Sequence, residues 1–233
     1  MIYVTGDTHG DLSRFKLSAA RKIKKRDVLI VCGDFGFVWD GGVKEKRVLK
    51  WLGKRRYDVL FADGAHENFD ELKKYGEEYW CGGKTRKISG RLRMSARGQV
   101  FEIGGKRVFV FGGGDRDDGA ASGGEGEKPT PEDFAEAMKN LEKADFKVDY
   151  VVSYEPPTQI TEFLSLSKLD DDAAPESERA GHYLDEINKK LKYERWFFGR
   201  HHINKIVTPK YFALFDGIVS AESAVGAHFK KPR

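Results

Sequence analysis

Short apolar runs rich in β-branched residues recur along the first seventy positions, each separated from the next by a segment with helical spacing. Strands are expected at 2–5, 28–31 and 59–62, with helices at 12–23 and 43–52. The second helix shows its period in Val43, Val48, Leu49, Trp51 and Leu52. The strand runs lack polar alternation, which predicts a parallel sheet covered on both faces. A short helix is expected near 69–75. Beyond it the pattern turns antiparallel, with extended pieces around 85–88, 91–94, 99–103 and 106–111 and a Gly104-Gly105 turn between the last two. Pro131 opens a helix running to about 143, with Thr130 as its N-cap and Asp133 in the first turn. A strand at 150–153, a helix at 183–191 and a strand at 196–198 follow. Short strands near 205–207, 211–214 and 218–220 are expected to finish a second sheet. The stretch 112–130, crowded with glycine, reads as a mobile loop, and 169–179 as an acidic surface loop. No fixed-period repeat or linker divides the chain, so residues 1–233 are expected to form a single α/β domain.

Composition narrows the class. With 39% hydrophobic and 12% aromatic residues in 233, the chain can bury a sizeable core, which excludes a mainly disordered state. Its longest apolar runs reach about half a dozen residues against the ~18–20 that span a bilayer, so no transmembrane helix is expected. The first residues enter a strand without the basic and apolar regions of an export signal, and a cytoplasmic location is expected. Cys32 and Cys81 belong to no CxxC pair and read as ordinary thiols. Lys and Arg number 41 against 37 Asp and Glu, a net +4 that mildly favours an anionic ligand without the basic stripe of a nucleic-acid binder. Arg21, Lys22, Lys24, Lys25 and Arg26, and likewise Lys54-Arg55-Arg56, read as solvated cations closing the first two helices.

The distinctive residues stand where strands end. After the first comes Gly6-Asp7-Thr8-His9-Gly10-Asp11, after the second Gly33-Asp34-Phe35-Gly36, and after the third Asp63-Gly64-Ala65-His66-Glu67-Asn68. Later ends carry Tyr154-Glu155-Pro156-Pro157 and Gly199-Arg200-His201-His202. Open α/β sheets bind ligands at these ends. Asp-x-His lets a carboxylate and an imidazole converge from one turn, a second Asp can bridge cations, and glycines admit close backbone approach. Trp39, Trp51, Trp80 and Trp196 read as core or rim aromatics, and Asp40, Asp117, Asp118, His182 and His228 as solvated surface groups.

That order of motifs resembles the calcineurin-like metallophosphoesterases, whose pattern is D-x-H, G-D-x, G-N-H-[DE], a lone His and G-H-x-H. The resemblance covers nearly the whole chain, and its stretches 1–11, 63–70 and 97–103 are similar to small single-domain bacterial members. It implies a four-layer α/β/β/α sandwich of two mixed sheets that hydrolyses phosphate esters with two divalent ions bridged by an aspartate. By the same resemblance, Asp7, His9, Asp34 and His202 match the complete ligand set of the first ion. The second ion would share Asp34 with an Asn and two His, and those three positions hold Ala65, Tyr154 and Arg200.

Alanine offers no donor atom and a guanidinium brings like charge. One divalent ion, manganese, iron or zinc, is therefore expected, and no second. Arg200 would place a planar cation where the second ion sat, suited to a phosphate oxygen pair. Tyr154 either hydrogen-bonds that phosphate or fills the space. His66 takes the role the resemblance gives its match, protonating the leaving oxygen. Three readings follow. In the first, a one-ion phosphoesterase of reduced activity hydrolyses a phosphate mono- or diester, its partner a phosphorylated small molecule or nucleotide and less plainly a nucleic acid. In the second, a degenerate member binds phosphate, nucleotide or a protein without hydrolysis. In the third, His201, Glu155 or Asp63 replaces the missing ligands of a second ion.

Overall fold

The computed structural model describes residues 1–114, 126, 128–166 and 179–223. Most of the stretch 112–130, the acidic segment up to 178, Asp117, Asp118 and His228 lie outside these residues. Two mixed sheets stack face to face with helices on both outer surfaces. The first sheet is built from β1 (Ile2–Thr5), β2 (Val28–Val31), β3 (Asp58–Phe61), β4 (Glu77–Trp80), β5 (Gly83–Ser89) and β6 (Leu92–Ser95), and takes in the distant β13 (Ile218–Ser220). Its order is β13-β1-β2-β3-β6-β5-β4. The second is built from β7 (Gln99–Ile103), β8 (Lys106–Phe111), β9 (Tyr150–Ser153), β10 (Arg195–Phe198), β11 (Lys205–Ile206) and β12 (Tyr211–Ala213), in the order β11-β12-β10-β9-β8-β7. Parallel pairs form the centre of each sheet and antiparallel strands its edges.

Period-two alternation within the apolar strands produces the layering. Val4, Ile30 and Leu60 of the first sheet meet Val110, Val152, Phe197 and Phe212 of the second in one buried cluster between the sheets. The intervening residues face outward. Leu29, Val31, Val59 and Phe61 pack with Leu49 and Leu52 of α2 (Val43–Gly53). Phe109, Val151, Trp196 and Phe198 pack with Leu141 of α4 (Pro131–Lys143), Leu164 of α5 (Thr158–Leu166) and Leu184 of α6 (Arg179–Lys190). The result is the expected α/β/β/α sandwich. At the start of α4 a capping box closes as its residue types predict, with Asp133 N donating to Thr130 Oγ1 at 3.2 Å and Thr130 N to Asp133 Oδ2 at 2.9 Å.

Two expectations are corrected, and two elements are new. The helix expected over 12–23 is a 3₁₀ turn, Arg14–Lys16, and a five-residue α1, Ser18–Lys22, divided at Leu17 by an extended ψ of 152°. Strand β13 pairs antiparallel with β1, so 218–220 belongs to the first sheet rather than the second. The strand β4 and the helix α5 were not anticipated. Among the described residues no helix is long and apolar enough to cross a membrane.

Candidate metal centre

Strand register brings the loops together. Thr5 is level with Val31, and Val31 with Phe61, so β1, β2 and β3 release their chains side by side. In the facing sheet Ser153 is level with Phe198, and β9 and β10 end at the same height. From these ends come Asp7 and His9, Asp34, His66, Tyr154 and Glu155, and Arg200 and His202.

Three of them form a donor cluster. Asp7, His9 and His202 offer one ligand atom each, all within 4.8 Å of one another. His9 Nε2 and His202 Nε2 are 2.9 Å apart, and His202 Nε2 is 3.3 Å from Asp7 Oδ2. Asp7 is 1% exposed and neither of its oxygens has a hydrogen bond of good geometry. A buried carboxylate in that state is costly without a cation. Burial pushes the Asp7 carboxyl up to about 6, while His202 beside it pulls the other way. Asp7 in turn raises the His202 imidazole, and burial lowers that of His9. One carboxylate and two imidazoles suit manganese, iron or zinc, so the donors fit a divalent ion. The approach depends on Gly199, where a Cβ would overlap Asp7 Oδ1. Arg14 fixes the loop from beneath. It is 5% exposed and donates to Thr5 Oγ1 at 2.7 Å and to the Asp7 carbonyl at 3.3 Å.

Asp34 lies beside this cluster, its Oδ2 4.0 Å from His9 Nε2, and already carries protein donors. His66 N donates to Oδ1 at 2.7 Å, while Oδ2 meets His66 Nδ1 and the Tyr154 hydroxyl, each at 2.9 Å. Burial raises the Asp34 pKa, but the bonds and charge of His66 outweigh it and hold the carboxyl below its ordinary value. Glu67 pins the following turn, accepting from Phe35 N at 2.6 Å and Gly36 N at 3.3 Å. Backbone strain concentrates in the same place. His9, Asp34, Arg200 and His202 all have positive φ, of 43°, 40°, 58° and 49°. Non-glycine residues hold that conformation at a cost, typically at functional sites.

The groups at the second ion's place do not fit a cation. Ala65 is fully buried and donates nothing, and Tyr154 is 2% exposed with its hydroxyl on Asp34. Arg200 Nη1 pairs with Glu155 Oε1 at 2.9 Å, and its guanidinium carbon is 5.8 Å from the Tyr154 ring centroid. Of the neighbours offered as replacement ligands, the two carboxylates are paired with guanidiniums. Glu155 holds Arg200 and Asp63 pairs with Arg97 at 2.5 Å, while the His201 ring packs edge-on to Phe198 at 6.0 Å between ring centroids and lies outside the donor cluster. Arg14 and Arg97 carry no motif signal, and the motif position of Glu67 does not reveal its bonds to Phe35 N and Gly36 N, because these partners are distant in sequence.

The match to a protein-family model agrees with this architecture. A family model described as calcineurin-like phosphoesterase matches residues 1–211. No curated protein matches. Among solved structures, the chain is similar to the Aquifex aeolicus protein AQ665, of unknown function, at 15% identity and a TM-score of 0.34, covering 66% of this chain and 78% of that one. It is also similar to a Saccharomyces cerevisiae protein serine/threonine phosphatase with similarity to human phosphatase PP5. That similarity is at 20% identity and a TM-score of 0.35, covering 92% of this chain and 66% of the yeast one. The present chain thus spans about two thirds of the yeast protein. Since the family match takes in every strand from β1 to β11, the chain belongs to the calcineurin-like phosphoesterase family.

Proposed function

We propose that this chain is a phosphoesterase that hydrolyses a phosphate mono- or diester around one divalent ion, at reduced activity, within a single domain over residues 1–233. The observation that carries the reading is the buried Asp7 carboxylate, without a hydrogen bond of good geometry, beside two converging imidazole nitrogens. Asp7, His9 and His202 would hold the ion, with Asp34 alongside. When bound, it would supply Lewis-acid polarisation of a phosphoryl oxygen and lower the proton affinity of water.

The remaining steps belong to side chains. His66 commits Nδ1 to Asp34, which orients the ring and leaves proton donation to a leaving oxygen through Nε2. Tyr154 takes the space-filling role, since its buried hydroxyl is used on Asp34. Arg200, held by Glu155, lends positive charge to the pocket, and its planar guanidinium suits a substrate phosphate oxygen. The substrate class is a phosphorylated small molecule or nucleotide, and the location cytoplasmic.

A second reading, a member that binds such a ligand without hydrolysis, is favoured by one feature: Tyr154 and the Arg200–Glu155 pair stand where a second ion would polarise the phosphate. Restoring Asn, His and His at positions 65, 154 and 200 separates the two. If hydrolysis of an aryl phosphate with manganese appears only in the restored protein, the chain is a binder. Comparable turnover by the unmodified chain establishes the enzyme.

A further inference from the structure

A cavity of about 400 Å³ opens at the end of the first sheet where β2 and β3 begin, opposite the metal centre. Arg21, Lys54, Arg55, Arg56 and Tyr57 line it over Phe15. Among the described residues no carboxylate lines it. The nearest acids along the chain are committed elsewhere. Asp58 pairs with Arg93 at 2.9 Å and Arg91 at 3.7 Å, and Asp27 with the Met1 ammonium at 2.9 Å.

Cations at helix C-termini are common, and Arg55 and Arg56 do reach main-chain carbonyls there. Arg56 donates to Ile23 O at 2.7 Å and also to Arg21 O, while Arg55 donates to Trp51 O at 3.3 Å and stacks 3.6 Å from the Trp51 ring centroid. These bonds use one N–H of Arg55 and two of Arg56, out of five on each guanidinium. Both groups are thereby held in place with donors to spare, which lowers the ordering cost of gripping an anion.

Capping does not account for Tyr57. It is 3% exposed, lines the same cavity, and its hydroxyl is buried without a hydrogen-bond partner. Buried hydroxyls are ordinarily bonded, and an unsatisfied one costs stability unless a ligand completes it. Burial raises its pKa while Arg55 and Arg56 lower it, so both guanidiniums act on the phenolic oxygen and the group remains a neutral donor. Two fixed guanidiniums, further cations and a neutral O–H donor match a phosphate group. The volume lies within the range of small-molecule sites.

We propose that this cavity is a binding site for a small phosphate-bearing anion, up to the size of a nucleotide, distinct from the metal centre. The claim is independent of whether the metal centre hydrolyses anything. It is tested by calorimetric titration of the full chain, in the presence of a chelator, with inorganic pyrophosphate and with ADP. Binding is expected, weakened about tenfold by Arg55→Gln and about fivefold by Tyr57→Phe. Tyr57→Phe keeps the ring and the fold, so it reads the hydroxyl alone. The ADP arm distinguishes a nucleotide from free phosphate, and binding of either supports the site. Affinity unchanged in both Arg55→Gln and Tyr57→Phe would overturn the proposal. So would binding of a single-stranded oligothymidylate tenfold tighter than pyrophosphate, which would assign the surface to nucleic acid.

Discussion

The hydroxyl of Tyr154 donates to Oδ2 of Asp34 at 2.9 Å, in a place from which solvent is excluded. The Asp34 carboxylate is thus satisfied by a phenol and by His66. Substituting Phe removes the one donor and keeps the ring. Tyr154→Phe is expected to lower stability by about 1 kcal/mol while leaving the ion count unchanged. Denaturant melts and elemental analysis check the two halves, and undiminished stability would show that the hydroxyl does not hold Asp34.

His66 should separate chemistry from ion binding. Because its Nδ1 bonds Asp34 and not the donor cluster, His66→Gln is expected to leave manganese affinity within about twofold. Turnover should fall by about 10² to 10⁴, the range for a lost general acid. Steady-state kinetics beside a manganese titration read both, and a matched loss in the two would make His66 a structural support of the ion.

Gly199 lets β10 pass directly against Asp7, where a Cβ would overlap Oδ1. Gly199→Ala is expected to cost about 1–3 kcal/mol and to weaken manganese binding, since either the carboxylate or the strand end must shift. Gly76→Ala, with nothing within 4 Å of its added Cβ, serves as the control and should change neither. Equal behaviour of the two in melts and metal titrations would count against the tight approach.

Much of the frame was legible because its signals are local. Ile2–Thr5, Val28–Val31 and Tyr150–Ser153 are short β-rich runs buried on both faces, a pattern that propensity alone can find. Strand β4 escaped because Glu77 and Glu78 open an edge strand that needs little burial, and α5 because its nine residues begin directly after Pro156-Pro157, a pair that reads as a turn. The partner of β1 could not be read, since Val4 pairs with Val219 across most of the chain. In the site, the D-x-H spacing and strand-end positions carried the donor residues. The Glu155–Arg200 pair and the Tyr154–Asp34 bond were not accessible, because they depend on how β2, β9 and β10 lie against one another.

A carboxylate far from the cleft gives a pH signature. Asp149 accepts from Lys106 Nζ at 2.7 Å and Arg107 N at 2.8 Å. Burial raises its pKa, but these bonds and charges together outweigh it and hold the carboxyl below the ordinary aspartate value of 3.8. A depressed carboxyl contributes stability that is complete above the unfolded pKa and lost as pH falls through the folded one. Asp149→Asn is therefore expected to be about 1 kcal/mol less stable at neutral pH, the pair being partly exposed, and to converge on the wild type in acid, once pH has fallen through the lowered folded-state pKa. Urea melts at both pH values test this, and a gap independent of pH would contradict it.

The most direct measurement is the number of ions held. The chain, equilibrated with manganese and freed of excess by gel filtration, is expected to retain one ion, almost none after Asp7→Asn, and two after Ala65→Asn, Tyr154→His and Arg200→His are combined. Two ions on the unmodified chain, or one that survives Asp7→Asn, would contradict a lone cation bound by Asp7, His9 and His202.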